Sequence, residues 1–203
     1  MELFKKTWVK CILVLTLIAV LSGGLLTILN EVLYVSAAER TDRAIKKIYG
    51  EVKEYSTLLD NDVSEKIYTS DKGEITKIYV VGDASADNYD MLFKSTGYNG
   101  YKNGTITLWT KVTFTDGEGA ITKVILESFT KQTLMSKFND SFYQGFYVDV
   151  TEAYQNGDFS AMAEDKGSQN YNPVSGATYS ATASCNAINV VLKCMAERGW
   201  ESL

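Results

Sequence analysis

The stretch NPVSGATYSATASCNAINVVLKCM, residues 172–195, carries the side chains best placed in this chain to do chemistry. After Ser175, Gly176, Ala177 and Thr178, the apolar residues Ala181, Cys185, Ile188, Leu192 and Met195 recur at helical spacing. That pattern predicts a helix starting near Tyr179 or Ser180. The opening N–H groups of a helix lack partners inside it and carry partial positive charge, which suits a phosphate. Gly176 lets the backbone turn sharply or approach a ligand, and Ala177 adds little bulk. Thr178 and Ser180 bring hydroxyls to the same place. The alternative is an ordinary Ser/Thr helix cap, worth about 1 kcal/mol. Residue chemistry alone leaves both readings open.

The rest of the composition narrows the field. The 203 residues include no histidine. This removes the commonest metal ligand, the usual general base and any Ser-His or Cys-His pair. Of three cysteines, Cys11 lies in an apolar run, while Cys185 and Cys194 fall on roughly opposite faces of one predicted helix and cannot pair. With no CxxC present, they read as small buried hydrophobes. A formal net charge of −5 argues against nucleic acid as a partner. Any reaction must therefore come from carboxylates, hydroxyls or a bound group.

Residues 11–30 carry no charge, a length sufficient to cross a bilayer as a helix. Lys5, Lys6 and Lys10 precede this run and Glu31 follows it, which puts the N-terminus in the cytoplasm and exports the remainder. A signal peptide cleaved after Ala37, at VSAAE, is the rival reading. The run is longer than a signal core, and Asn30 and Glu31 separate it from that site, so a retained anchor over 1–34 is expected. No cysteine follows closely on the span to carry a lipid.

The remaining chain, 35–203, is expected to form one α+β domain that positions the hydroxyl-rich stretch. Ala38, Ile45, Ile48, Val52 and Tyr55 read as a helix continuing from the membrane. KIYTSDKGEITKIYVVG reads as two strands about a turn at Asp71-Lys72-Gly73. A second hairpin pairs TITLWTKVTF, with Ile106, Leu108, Val112 and Phe114 on one face, with AITKVILESF across DGEG. KQTLMSKFNDSFYQGFY is expected to be a short helix and loop, and a C-terminal helix closes the chain.

Ser175-Gly176-Ala177-Thr178 resembles the S/T-G-A-T motif of the bacterial FMN-binding domain family, shared by one flavin-carrying component of the Rnf complex and its counterpart in the sodium-translocating NADH:quinone oxidoreductase. The resemblance extends to the single span ending in LNEV, the basic AERTDRAIKKIYG that follows, and STGYNGYKNGTITL, so that it covers most of the chain. The overall length is similar to that of the Rnf component rather than its longer quinone-reductase counterpart. Two departures stand out. The family has Asp six residues before the modified threonine, where this chain has Asn172. A Glu-Thr-Pro-Gly-Leu-Gly loop after the second hairpin is replaced here by ESFTKQTLMS.

The resemblance implies FMN joined through its phosphate to the Thr178 hydroxyl by a separate flavin transferase, with Ser175, Gly176, Ala177 and Ser180 forming the surrounding loop. The protein would then need no nucleophile beyond that hydroxyl, and the flavin would supply the redox chemistry. Leu108 and Trp109 resemble a pair that lies against the flavin in the quinone-reductase counterpart; Trp109 could equally be a core aromatic. Tyr179 could flank the ring or be plain surface, and Glu127 could meet the pyrimidine edge or be a solvated carboxylate at a strand end. The implied function is that of an electron-carrying subunit, partnered by the other Rnf-type subunits, moving electrons between ferredoxin and NAD while sodium ions or protons cross the membrane. A free-standing membrane-anchored flavoprotein and a flavin-free binding module are the alternatives.

Overall fold

The computed structural model describes residues 7–60, 68–83, 88–115, 118–144 and 174–198. The chain divides into two compact units, Met1–Asp42 and Arg43–Leu203. The boundary expected at 34/35 falls at a break between two helices, whereas the units part within the second of them.

Helix α1 spans Thr7–Leu33. Its segment Trp8–Glu31 has a mean hydropathy of 2.6 and is nowhere buried. At about 1.5 Å per residue its 24 residues extend about 36 Å, more than the ~30 Å of a hydrocarbon core. The helix is thus long and apolar enough to cross a membrane.

Helix α2, Ala37–Tyr49, is a separate element and not a continuation of α1. Its start is encoded locally: Ser36 Oγ accepts the Glu39 N–H at 3.1 Å, in the Ser-x-x-Glu spacing of a capping box. Its end is encoded as well. Gly50, at φ 84°, donates its N–H to the Lys46 carbonyl, which closes the helix in a left-handed turn. Val52 and Tyr55 therefore lie off the helix they were expected to extend; Val52 is exposed and Tyr55 opens a strand.

Among the described residues six strands form one antiparallel sheet: β1 Tyr55–Asp60, β2 Tyr68–Thr69, β3 Gly73–Val81, β4 Asn88–Gly97, β5 Ile106–Thr115 and β6 Glu118–Phe129. Their order is β1-β3-β4-β5-β6, with β2 also paired to β3. Both expected hairpins are present, β2–β3 and β5–β6. Strands β1 and β4 carry no strand signal in the sequence pattern. Strand β4 lacks the alternation of a half-exposed strand, because consecutive Met91, Leu92 and Phe93 are all fully buried and face cores on both sides.

Helix α3, Thr178–Arg198, lies on one face of the sheet against β2, β3, β4 and β5. Ile106, Leu108, Val112 and Phe114 meet Ala181, Ile188 and Leu192 there. Phe138, Phe142 and Tyr143, from a 3-10 turn and a helical turn after β6, complete this core. On the other face Ala44, Ile45 and Ile48 of α2 pack with Tyr79, Val81, Leu92, Trp109 and Ile125. Asp90 secures that face, accepting hydrogen bonds from Tyr49 (2.8 Å) and Thr113 (2.7 Å) and pairing with Lys111 at 3.1 Å. Asn172 lies outside the described residues.

Candidate functional site

The SGAT stretch forms a tight turn that feeds α3. The Ala177 N–H donates to the Val174 carbonyl at 2.8 Å, with Ser175 and Gly176 as the central residues. Gly176 has φ 78°, as the third position of a type II turn requires, so glycine is demanded there by the backbone. The Ala181 N–H then donates to the Ala177 carbonyl at 3.0 Å, which makes Ala177 the N-cap and Thr178 the first helical residue. The helix thus begins one to two residues earlier than its apolar spacing predicted.

That placement decides what the hydroxyls do. Alanine is among the poorest N-cap residues because it has no side-chain oxygen to offer. Ser180 is buried, and its hydroxyl donates to Gln132 Oε1 at 2.7 Å. Thr182 and Ser184 donate back to the carbonyls of Thr178 and Ser180, at 3.0 and 3.1 Å. Serine and threonine at alternate positions therefore serve different ends, and Thr178 at the helix start is half-buried while Ser175, Gly176 and Tyr179 are exposed.

Two loops frame this turn; they fall in or beside the stretches ESFTKQTLMS and STGYNGYKNGTITL, within which the sequence singles out neither Gln132 nor, just beyond, Lys137. Lys137 donates from its ammonium to the Ser175 carbonyl at 3.0 Å, so a positive charge is fastened to the turn. Leu134 Cδ1 is the first atom that a Cβ on Gly176 would approach, at 3.5 Å. Behind them, the 98–104 loop holds a 3-10 turn at Tyr101–Asn103. The Asn-Gly steps at 99–100 and 103–104 signal such left-handed turns, but no local signal marked Gln132 or Lys137.

The other expected site residues lie elsewhere. Leu108 and Trp109 are adjacent on β5 and so point to opposite faces, which prevents the pair from lying against one ring. Leu108 is fully buried in the α3 core, and Trp109 is 2% exposed and stacks on Tyr79 at 5.9 Å in the α2 core. Glu127 accepts from Lys94 at 2.6 Å, and Lys94 lies 5.6 Å from the Trp109 ring centre. Glu127 is thus ion-paired on the α2 face, not a solvated carboxylate, and the structure does not bring it to the SGAT turn. Cys185 and Cys194 are buried and not joined in a disulfide, and burial pushes the Cys185 thiol up, away from reactivity. Among the described residues no group of three or more His, Cys, Asp or Glu could hold a metal. The chain matches no protein-family model, no curated protein and no solved structure.

Proposed function

We propose that the domain after α1 is a covalent flavin carrier with FMN esterified to the Thr178 hydroxyl, and that it serves as the electron-carrying subunit of an Rnf-type membrane redox complex. The observation that carries this reading is the start of α3. A glycine-dependent turn delivers Thr178 to the first position of a helix whose N-cap, Ala177, has no capping side chain. The residues present fit a phosphate ester: a hydroxyl at a helix start, an exposed turn, and the Lys137 ammonium held beside it.

A flavin transferase using FAD would supply the phosphorus. The Thr178 Oγ–P bond forms, the P–O bond to AMP breaks, AMP leaves, and the hydroxyl proton passes to solvent or to the transferase. No electrons change hands in this step. The chain's own residues then hold the ester. Lys137 offsets its single negative charge, and Tyr179, 50% exposed, offers a flat apolar surface beside it. Bound FMN would supply reversible electron transfer, and the chain its position and electrostatics. α1 would anchor the carrier, with Lys5, Lys6 and Lys10 on the cytoplasmic side and the domain exported.

Co-expression with a flavin transferase tests the reading, by in-gel fluorescence and mass spectrometry of the peptide containing Thr178. An FMN-sized increment on Thr178 is expected, and Thr178→Ala should abolish it. Because Thr178 is the first helical residue and not the cap, that variant should lose well under about 1 kcal/mol of stability. An unmodified peptide in the presence of active transferase, or label persisting in Thr178→Ala, would leave the flavin-free module standing instead.

A further inference from the structure

Gln132 ties three segments of the chain together at the start of α3. Its Oε1 accepts from the Ser180 hydroxyl at 2.7 Å and from the Tyr101 N–H at 3.1 Å, while its Nε2 donates to the Thr130 carbonyl at 2.9 Å. The amide passes between Gly100 and Gly104, and a Cβ at either would collide with Nε2. All five non-glycine residues with positive φ among those described flank it: Asn99, Lys102, Asn103, Lys131 and Leu134. Each such conformation is unfavourable and persists only where the surroundings impose it. Gln132 is the side chain both loops share.

We propose that Gln132 is the positioning residue of the acceptor threonine. Ser180 and Thr178 are two residues apart, so their side chains leave the first turn of α3 about 200° from one another. Gripping the buried Ser180 hydroxyl fixes the rotation of that turn and hence the direction in which Thr178 presents Oγ to the incoming phosphorus. Such alignment matters kinetically, since a misplacement of about 1 Å can cost about 100-fold in rate. The inference rests on Thr178 being the flavin acceptor and names the residue that orients it.

The test compares initial rates of flavin incorporation into the full-length chain in detergent, with FAD and limiting transferase, for the wild type, Gln132→Met, Ser180→Ala and the double variant. Circular dichroism and thermal melts run alongside. Each single variant should lose about tenfold or more in rate while remaining folded, and excess transferase should restore full occupancy of Thr178. The double variant should be no slower than the slower single one, because both changes break the same hydrogen bond. Wild-type rates in the folded single variants, or rate losses that multiply in the double variant, overturn the proposal. If Gln132→Met fails to fold, Ser180→Ala decides alone, and a wild-type rate there overturns it. A wild-type chain that takes no flavin on Thr178 is a distinct result, which overturns the acceptor reading and this inference together.

Discussion

Replacing Gly97 with alanine should unseat α3 from the sheet. Gly97 ends β4 beneath the helix, and a Cβ there would lie 2.5 Å from the backbone nitrogen of Ala187 and 3.0 Å from the carbonyl carbon of Ala183, with the Ala183 oxygen closer still. Ordinary contact begins at about 3.4 Å, so helix and strand must separate by about 1 Å or more. Neither partner can yield by a rotamer change, since all of these atoms are backbone. The helix is also buried on nearly every side from Ser180 to Met195. Overpacking typically costs 1–3 kcal/mol, and a backbone clash belongs at the upper end, about 3 kcal/mol. A gap of about 1 Å forfeits up to half of each dispersion contact across the interface, which points the same way. For a chain of this size that corresponds to a fall of about 6–12 °C in melting temperature. Thermal melts of the full-length protein in detergent, followed by circular dichroism, measure it. A Gly97→Ala variant melting within about 2 °C of the wild type would refute this account of helix seating.

Two further predictions follow from the same core. Gly176→Ala meets nothing closer than 3.5 Å but must hold φ 78°, so it should cost about 1–2 kcal/mol, less than Gly97→Ala, and the reverse ranking in the same melts would contradict the turn assignment. Burial pushes the Tyr143 phenol from 10 up to about 12. The folded chain therefore keeps this proton longer than the unfolded chain, and the associated stability, complete below about pH 10, is lost as pH rises to about 12, roughly 3 kcal/mol in all. Tyr143→Phe should flatten that alkaline loss in urea titrations between about pH 9 and about pH 12, and equal losses in the two proteins would rule the phenol out as its source.

Much of the fold is legible in the sequence because its signals are local. The uncharged run at 11–30, the Asp71-Lys72-Gly73 turn and the alternation in 106–114 each depend only on neighbours along the chain. So does the glycine in the SGAT turn, whose left-handed φ the residue type allows. Tertiary structure decided the rest. Strand β4 shows no clean alternation, with apolar Met91, Leu92 and Phe93 in succession, until helices are known to cover both faces of the sheet, and β1 reads as helix until Gly50 ends α2. The Leu108–Trp109 pair looks like one surface in sequence, but the pleat sends the two side chains to different cores. Gln132 has no local pattern at all. It acquires its role only because the loops after β4 and β6 fold back to the start of α3, and hydrogen bonds spanning 31 and 48 residues depend on the closure of the whole sheet.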